Sequence, residues 1–298
     1  REYISSIIMF LSYYSNEINK NGVKLTEADL SNIKITDLYG YIAFRKEGGM
    51  KKEIEESTIN FTLSALDSFL KFLYKCDVIK INMSTCQIKR AKRKEVTSED
   101  IVYLNQDEIK TVVSNITSGV GNNNSMIRQA KWKNRDLLIF MLSIQTGIRV
   151  DALTNINIDD ISIEKNTFMA TDKWNKTRAY FIDDTVGKII TDWIYDREEL
   201  LKSIRGNVGL STNKALFISN RGDRMATKSV AAVIKKYTYN IDKHITPHKL
   251  RSTCGTMVYQ KTKDIYLVSN VLGHTTPAPT KRYAAIKDDT KKDMASLM

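Results

Sequence analysis

The chain is 298 residues long, room for two domains that each bury a core, and its 46 Lys and Arg against 34 Asp and Glu give a formal charge of +12 and a pI near 9.4. A surplus of that size points to a polyanionic partner, although taken alone it also reads as a solvating surface. Cys76, Cys86 and Cys254 are scattered and form no CxxC pair, which argues against a disulfide framework or a cysteine zinc site, and no apolar run reaches the length of a membrane span.

No charged-then-apolar leader opens the chain, so a soluble protein of the reducing cytoplasm is expected. The Asn60 and Asn115 glycosylation patterns read as chance in that setting. The chain opens on Arg1 rather than methionine, and a trimmed start is expected.

A first helix is predicted from Ser5 to Ile18, with Ile8, Leu11, Tyr14 and Ile18 at helical spacing and Asn21-Gly22 ending it. Thr26-Glu27-Ala28-Asp29 reads as an acidic helix start. Another helix begins at Ile35-Thr36-Asp37 and runs through Leu38, Tyr41 and Phe44 to Gly48-Gly49. The next carries a buried stripe of Ile59, Leu63, Leu66, Phe69, Leu70 and Leu73. Residues 1–84 therefore read as a small helical bundle without catalytic chemistry.

Residues 85–102 hold the densest basic run, Lys89-Arg90-Ala91-Lys92-Arg93-Lys94. Such a run is either a solvated tail or a linker that neutralises phosphates, and its place between two packed regions favours the linker. A second domain, 103–298, opens with Asn105 as a helix cap. The Gly- and Asn-rich stretch Thr117 to Ser125 reads as a loop, and Arg135 to Gln145 as an apolar helix ended by Gly147. Arg149 lies just past that end. By itself it is a surface charge as readily as a functional group.

From Ile161 the period changes to strand alternation, at Ile161 to Ile163, Thr167 to Ala170 and Ala179 to Ile182, with Asp172 to Lys176 as the turn between the last two. A helix from Thr185 to Ile204 and a strand from Leu216 to Ser219 follow as scaffold. Ala226 to Tyr239 forms a basic helix whose Lys228, Lys235 and Lys236 are placed to meet phosphates. Thr246-Pro247 then starts a helix, the hydroxyl as cap and proline at the first position. His248 and Arg251 lie three apart on one face of it, at the positive end of the dipole, where a guanidinium fork can bind two phosphate oxygens. Leu272-Gly273-His274 breaks a helical pattern and leaves His274 in a turn, with Arg282-Tyr283 shortly after. No acidic cluster or HxxxH accompanies the histidines, so no metal site is expected.

As an ordered set, Thr146-Gly147-Ile148-Arg149, His248 with Arg251, Leu272-Gly273-His274 and Tyr283 resemble the tyrosine recombinases of the phage integrase family, over nearly the whole chain. The resemblance implies a mainly α fold with a small antiparallel β-sheet, an N-terminal helical bundle clamping DNA and an α+β catalytic domain. It implies Tyr283 as nucleophile, Arg149 and Arg251 as charge stabilisers, His248 as proton acceptor, His274 as a donor to phosphate and Lys173 as general acid.

The implied reaction cuts and rejoins DNA at a specific duplex site through a 3′-phosphotyrosine, serves a mobile element, and conserves bond energy so that no cofactor is needed. A homotetramer on two duplexes is the implied assembly, with no membrane partner. A silent DNA-binding accessory protein and a relaxing topoisomerase of the same tyrosine chemistry are the alternatives. The sequence departs from the family at three kinds of position: Asp172 and Trp174 replace the glycines flanking the hairpin lysine, Ala152 stands where a glutamate is frequent, and Ser252 where a histidine is common.

Overall fold

A computed structural model describes residues 2–18, 24–51, 54–80, 90, 101–172, 176–274, 280 and 283. The chain divides into two compact units, Arg1–Glu95 and Val96–Met298.

The first unit contains α1 (Glu2–Glu17), α2 (Glu27–Ser31), α3 (Ile35–Lys46) and α4 (Glu56–Lys75), with a short 3₁₀ turn at Gly49–Lys51. Thr26 and Asp29 close a capping box on α2: the Thr26 amide donates to Asp29 Oδ2 at 2.7 Å and the Asp29 amide to Thr26 Oγ1 at 3.3 Å. On α4 the residues Ile59, Leu63, Leu66, Leu70 and Leu73 are buried, each contributing about 1.5–3 kcal/mol by leaving water. They pack with Phe10, Tyr14 and Tyr41 in one core.

The first helix differs from its expected register. Its inward face centres on Phe10 and Tyr14, whereas Ile8 is exposed. At about 100° per residue Ile8 lies roughly 200° around the helix from Phe10, so the aromatic pair, with more area to bury, sets the face.

The second unit contains α5 (Gln106–Ser118), α6 (Asn123–Ala130), α7 (Lys133–Thr146), α8 (Val150–Asn155), β1 (Ile161–Ser162), β2 (Thr167–Asp172), β3 (Lys176–Phe181), α9 (Asp184–Thr212), α10 (Thr227–Tyr237), α11 (Pro247–Thr262) and α12 (Ile265–Leu272). The strands form one antiparallel sheet in the order β1-β2-β3, with Phe168 opposite Tyr180 and Asp172 opposite Lys176. Helix α7 is apolar nearly all round, burying Leu138, Ile139, Phe140 and Leu142, and so lies within the unit with α5, α9 and α11 packed on it.

Three local expectations shift. The polar stretch 117–125 is loop only between Ser118 and Asn123, because the Asn122 side chain accepts from the Ser125 amide and starts α6. Helix α9 runs on past Ile204 to Thr212. Residues 216–219 make no sheet strand: the carbonyls of Leu216 and Ile218, and of Ala215 before them, accept from the side chains of Trp193, Arg135 and Arg197 at 2.9, 3.0 and 2.8 Å, which leaves only scattered backbone pairs such as Met225 N to Phe217 O at 2.9 Å. Its β-pairing is limited to isolated bridges, Asn157 to Ala215 and Ile218 to Arg224.

A buried carboxylate ties α7 to α10. Asp136 has no solvent exposure; its Oδ1 accepts from Arg135 Nε and Nη2 at 2.9 and 2.8 Å, and its Oδ2 from Tyr237 Oη at 3.0 Å and Lys236 Nζ at 3.1 Å. Burial, and after it the Asp136 charge, holds the Tyr237 phenol far above its ordinary pKa, so it remains a neutral donor. Removing the carboxylate would strand Arg135, which is 5% exposed. Asp136→Ala is therefore expected to cost about 3–5 kcal/mol, read as a lower urea midpoint for the second unit, and a loss below about 1 kcal/mol would contradict this account.

Candidate active site

Helix α11 starts where Thr246 caps it, its hydroxyl accepting from the Lys249 amide, with Pro247 in the first turn. That start places Arg251 inward and His248 outward one turn apart. Arg251 is 4% exposed, and its two Nη groups donate to the carbonyls of Gly147 and Leu272. Gly147 ends α7 and Gly273 ends α12, both in the left-handed conformation at φ 60°. A Cβ on Gly147 would lie 2.6 Å from Leu272 Cδ2, so glycine is required there by space as well as by φ. One guanidinium thus bridges the negative ends of two helices, a seat that offsets part of its desolvation.

Two more guanidiniums reach the same place. Arg149, the residue before α8, sets Nη1 2.9 Å from Asp172 Oδ1 and donates from Nη2 to the Gly273 carbonyl at 3.4 Å. Arg178, on β3, donates from Nη2 to the carbonyls of Asn270 and Val271 at 2.8 and 3.3 Å, and its Nη1 lies 3.9 Å from Asp172 Oδ2. Three guanidiniums therefore face one carboxylate, which leaves the pocket positive and suited to an anion.

Burial first, and the Arg149 charge next, lower the pKa of Arg251 to about 10, still high enough for full charge at neutral pH. Tyr180 is pushed up by burial and then by Asp172, to which it donates at 3.4 Å.

Beyond α12, His274 follows Gly273, and its Nδ1 lies 2.8 Å from Thr280 Oγ1. Tyr283 is fully buried in a cluster with Ile101, Cys254, Val268 and Leu272, and its charge would act on Arg251. Burial lifts the Cys254 thiol to about 12, so it is a packing group rather than a nucleophile. Gly255, four residues after Arg251 on α11, makes room for the ring: a Cβ there would lie 2.7 Å from Tyr283 Cζ and 3.0 Å from its Oη.

Of the residues singled out in the sequence, Arg149, Arg251, His274 and Tyr283 gather around the end of α12, and His248 stands exposed on the first turn of α11. Lys173 lies outside the described residues, as do Lys89, Lys92, Arg93 and Lys94. Arg90 donates to Ser64 Oγ at 2.8 Å and Asp67 Oδ2 at 2.9 Å on α4 of its own unit.

On α10, Lys228 and Lys235 are exposed. Lys236 differs from its expected outward role. It pairs with Asp136 and its Nζ sits 4.1 Å from the centre of the Tyr237 ring, because the buried carboxylate draws it inward.

Sequence reading missed Arg178 and the inward turn of Asp172; the signal was strand alternation, which puts Asp172 on the buried side of β2 with Phe168 and Ala170. Among the described residues no group of three or more His, Cys, Asp or Glu could hold a metal, and no helix is long and apolar enough to cross a membrane.

Residues 102–290 match the phage integrase family. The chain is 27% identical over 308 residues to tyrosine recombinase XerC of Caldanaerobacter subterraneus subsp. tengcongensis, covering 98% of this chain and 79% of that protein. It is 26% identical over 318 residues to tyrosine recombinase XerS of Streptococcus pneumoniae, covering 98% and 88%. Its fold matches that of XerH site-specific recombinase bound to a palindromic difH substrate, with a TM-score of 0.70 at 20% identity over 99% of this chain and 78% of that one. The Tn1549 transposon integrase in complex with circular intermediate DNA is also similar, with a TM-score of 0.62 at 16% identity over 97% and 99%.

The tight fit of Gly255 to Tyr283 has a measurable consequence. Gly255→Ala is expected to displace the ring, so that Tyr283, protected in the native protein, becomes nitrated by tetranitromethane as mapped by mass spectrometry. Equal protection in both proteins would show that the ring does not depend on that gap.

Proposed function

Because the chain belongs to the phage integrase family and is a tyrosine recombinase acting in site-specific DNA recombination, we propose that Tyr283 is its nucleophile and that the pocket at the end of α12 seats the scissile phosphate. The observation that carries this reading is the convergence of Arg149 and Arg251 beside Tyr283, with a positive balance of charge around them. Tyr283 Oη attacks the phosphorus, a 3′-phosphotyrosine forms, and the 5′-oxygen leaves. That 5′-hydroxyl then attacks the phosphotyrosine of the partner strand and releases the tyrosine. One phosphodiester is exchanged for another, so no energy-supplying cofactor is consumed.

Each group has one task in this scheme. Arg149 and Arg251 neutralise the charge that collects on the non-bridging oxygens in the transition state, where fixed donors act most strongly. His248, on the exposed first turn of α11, takes the proton from Tyr283 Oη. His274 donates to a phosphate oxygen, its ring oriented by the contact between Nδ1 and Thr280 Oγ1. Lys173, next to Asp172 in the hairpin, protonates the leaving 5′-oxygen.

The duplex is held mainly through phosphates, for which the charge of +12 supplies the long-range attraction. Lys228 and Lys235, together with the Lys89 to Lys94 run, are the groups we assign to it, with residues 1–84 as the DNA-clamping part. A homotetramer on two duplexes, a mobile element as the beneficiary and a cytoplasmic setting complete the proposal. The Tn1549 transposon integrase, bound to a circular intermediate, is the relative that supports the mobile-element reading.

The test begins by capturing a cognate site: wild-type protein is incubated with a randomised library of nicked duplexes, and covalent complexes are isolated on denaturing gels. Because arginines supply the charge neutralisation, an adduct is expected to form in EDTA and to be absent with Tyr283→Phe. An adduct that persists in Tyr283→Phe, or that EDTA abolishes in the wild type, would overturn the proposal.

A further inference from the structure

Among the described contacts, the helix that follows Arg149 offers it no anion. The residue three positions on, in the first turn of α8 that Arg149 precedes, is Ala152, buried and without any group to hold a guanidinium. The anion comes instead from the sheet. Asp172 ends β2 on the inward side, with a side chain 5% exposed, and puts Oδ1 2.9 Å from Arg149 Nη1.

Turn aspartates ordinarily bond the backbone two residues on and shape the turn. This carboxylate makes the ion pair with Arg149, lies 3.9 Å from Arg178 through Oδ2, and accepts there from Tyr180 Oη at 3.4 Å. Burying a carboxylate costs several kcal/mol unless cations and donors surround it, so shaping a turn would not keep it inside.

We propose that Asp172 is the positioning residue for Arg149, holding its guanidinium against the Gly273 carbonyl with free donors turned to the substrate phosphate, a role that rests on the assignment of Arg149 above. A guanidinium carries five N–H donors, and one ion pair with one hydrogen bond leaves roughly three for an oxyanion. Although Arg149 Nη1 is near, Asp172 Oδ1 accepts no aligned hydrogen bond. Charge rather than a directed bond makes the tether, and the fork can adjust toward an incoming phosphate without leaving its partner.

The same carboxylate is the only anion that faces Arg149, Arg178 and Arg251 together among the described contacts. Without it, three like charges repel, and the side chain with the most freedom is Arg149, which is 30% exposed.

The experiment uses the site captured on wild-type protein, in nicked duplexes whose scissile group is either the ordinary phosphate or a methylphosphonate. The methyl group removes the non-bridging charge, so this second substrate needs no arginine to neutralise it. Asp172→Asn, which keeps the shape and loses the charge, is expected to slow cleavage of the phosphate on the order of a hundred-fold with unchanged affinity for the duplex. On the methylphosphonate it should cleave at nearly the wild-type rate, as should Arg149→Ala. Asp172→Glu, tested beside it, should retain most activity on the phosphate.

Wild-type cleavage of the phosphate by Asp172→Asn would overturn the inference. So would a defect that persists on the methylphosphonate while Arg149→Ala recovers, since Asp172 would then support only the fold. If Arg149→Ala itself cleaves the phosphate normally, the assignment of Arg149 falls, and the role of Asp172 with it.

Discussion

The second unit depends on a single buried guanidinium. Arg251 donates to the Gly147 carbonyl, just past the end of α7, and to the Leu272 carbonyl at the end of α12. Helix ends carry partial negative charge and unsatisfied carbonyls, and a cation between two of them satisfies both at once. The consequence reaches backwards into sequence: Gly147 and Gly273 must be left-handed for their helices to stop where that arginine can touch them, and Gly147 must lack a Cβ for Leu272 to approach. What looks like a catalytic feature is also the keystone of the local packing.

That double use would leave the proposed phosphate seat organised before any DNA arrives. Arg149 and Arg178 converge on the same helix end through Gly273, Asn270 and Val271, and Asp172 sets their spacing from the sheet side. Tyr283, the proposed nucleophile, is also closely packed. Tyr283 lies against Gly255 and the apolar groups of Cys254, Val268 and Leu272, so its ring is placed by packing while its hydroxyl stays within the field of Arg251. Rigid groups and fixed charge are the conditions under which electrostatic stabilisation of a transition state is largest.

Much of this was legible beforehand because helix starts and stops are local chemistry. Thr246-Pro247, Asn105 and the Thr26 to Asp29 box announce α11, α5 and α2, and Gly147 and Gly273 announce two ends. The strand alternation gave the hairpin, and the family resemblance gave the order of the site residues. What stayed hidden depended on partners distant in sequence. Nothing around Ile8 reveals that Phe10 meets Tyr41, and nothing around Lys236 reveals a carboxylate on α7 one hundred residues earlier. Asp172 looked like a turn residue because its partner, Arg149, belongs to another element. Residues 216–219 had a strand's composition, but the side chains of Trp193 and Arg135 took the Leu216 and Ile218 carbonyls.

The geometry of the Arg251 fork, and not merely its charge, organises the site. Arg251→Lys retains a cation on the same helix but cannot span the Gly147 and Leu272 carbonyls with one planar group. The rate of covalent adduct formation by this variant on the captured duplex is expected to fall on the order of a hundred-fold or more, and a lysine variant that cleaves at the wild-type rate would show that charge alone suffices.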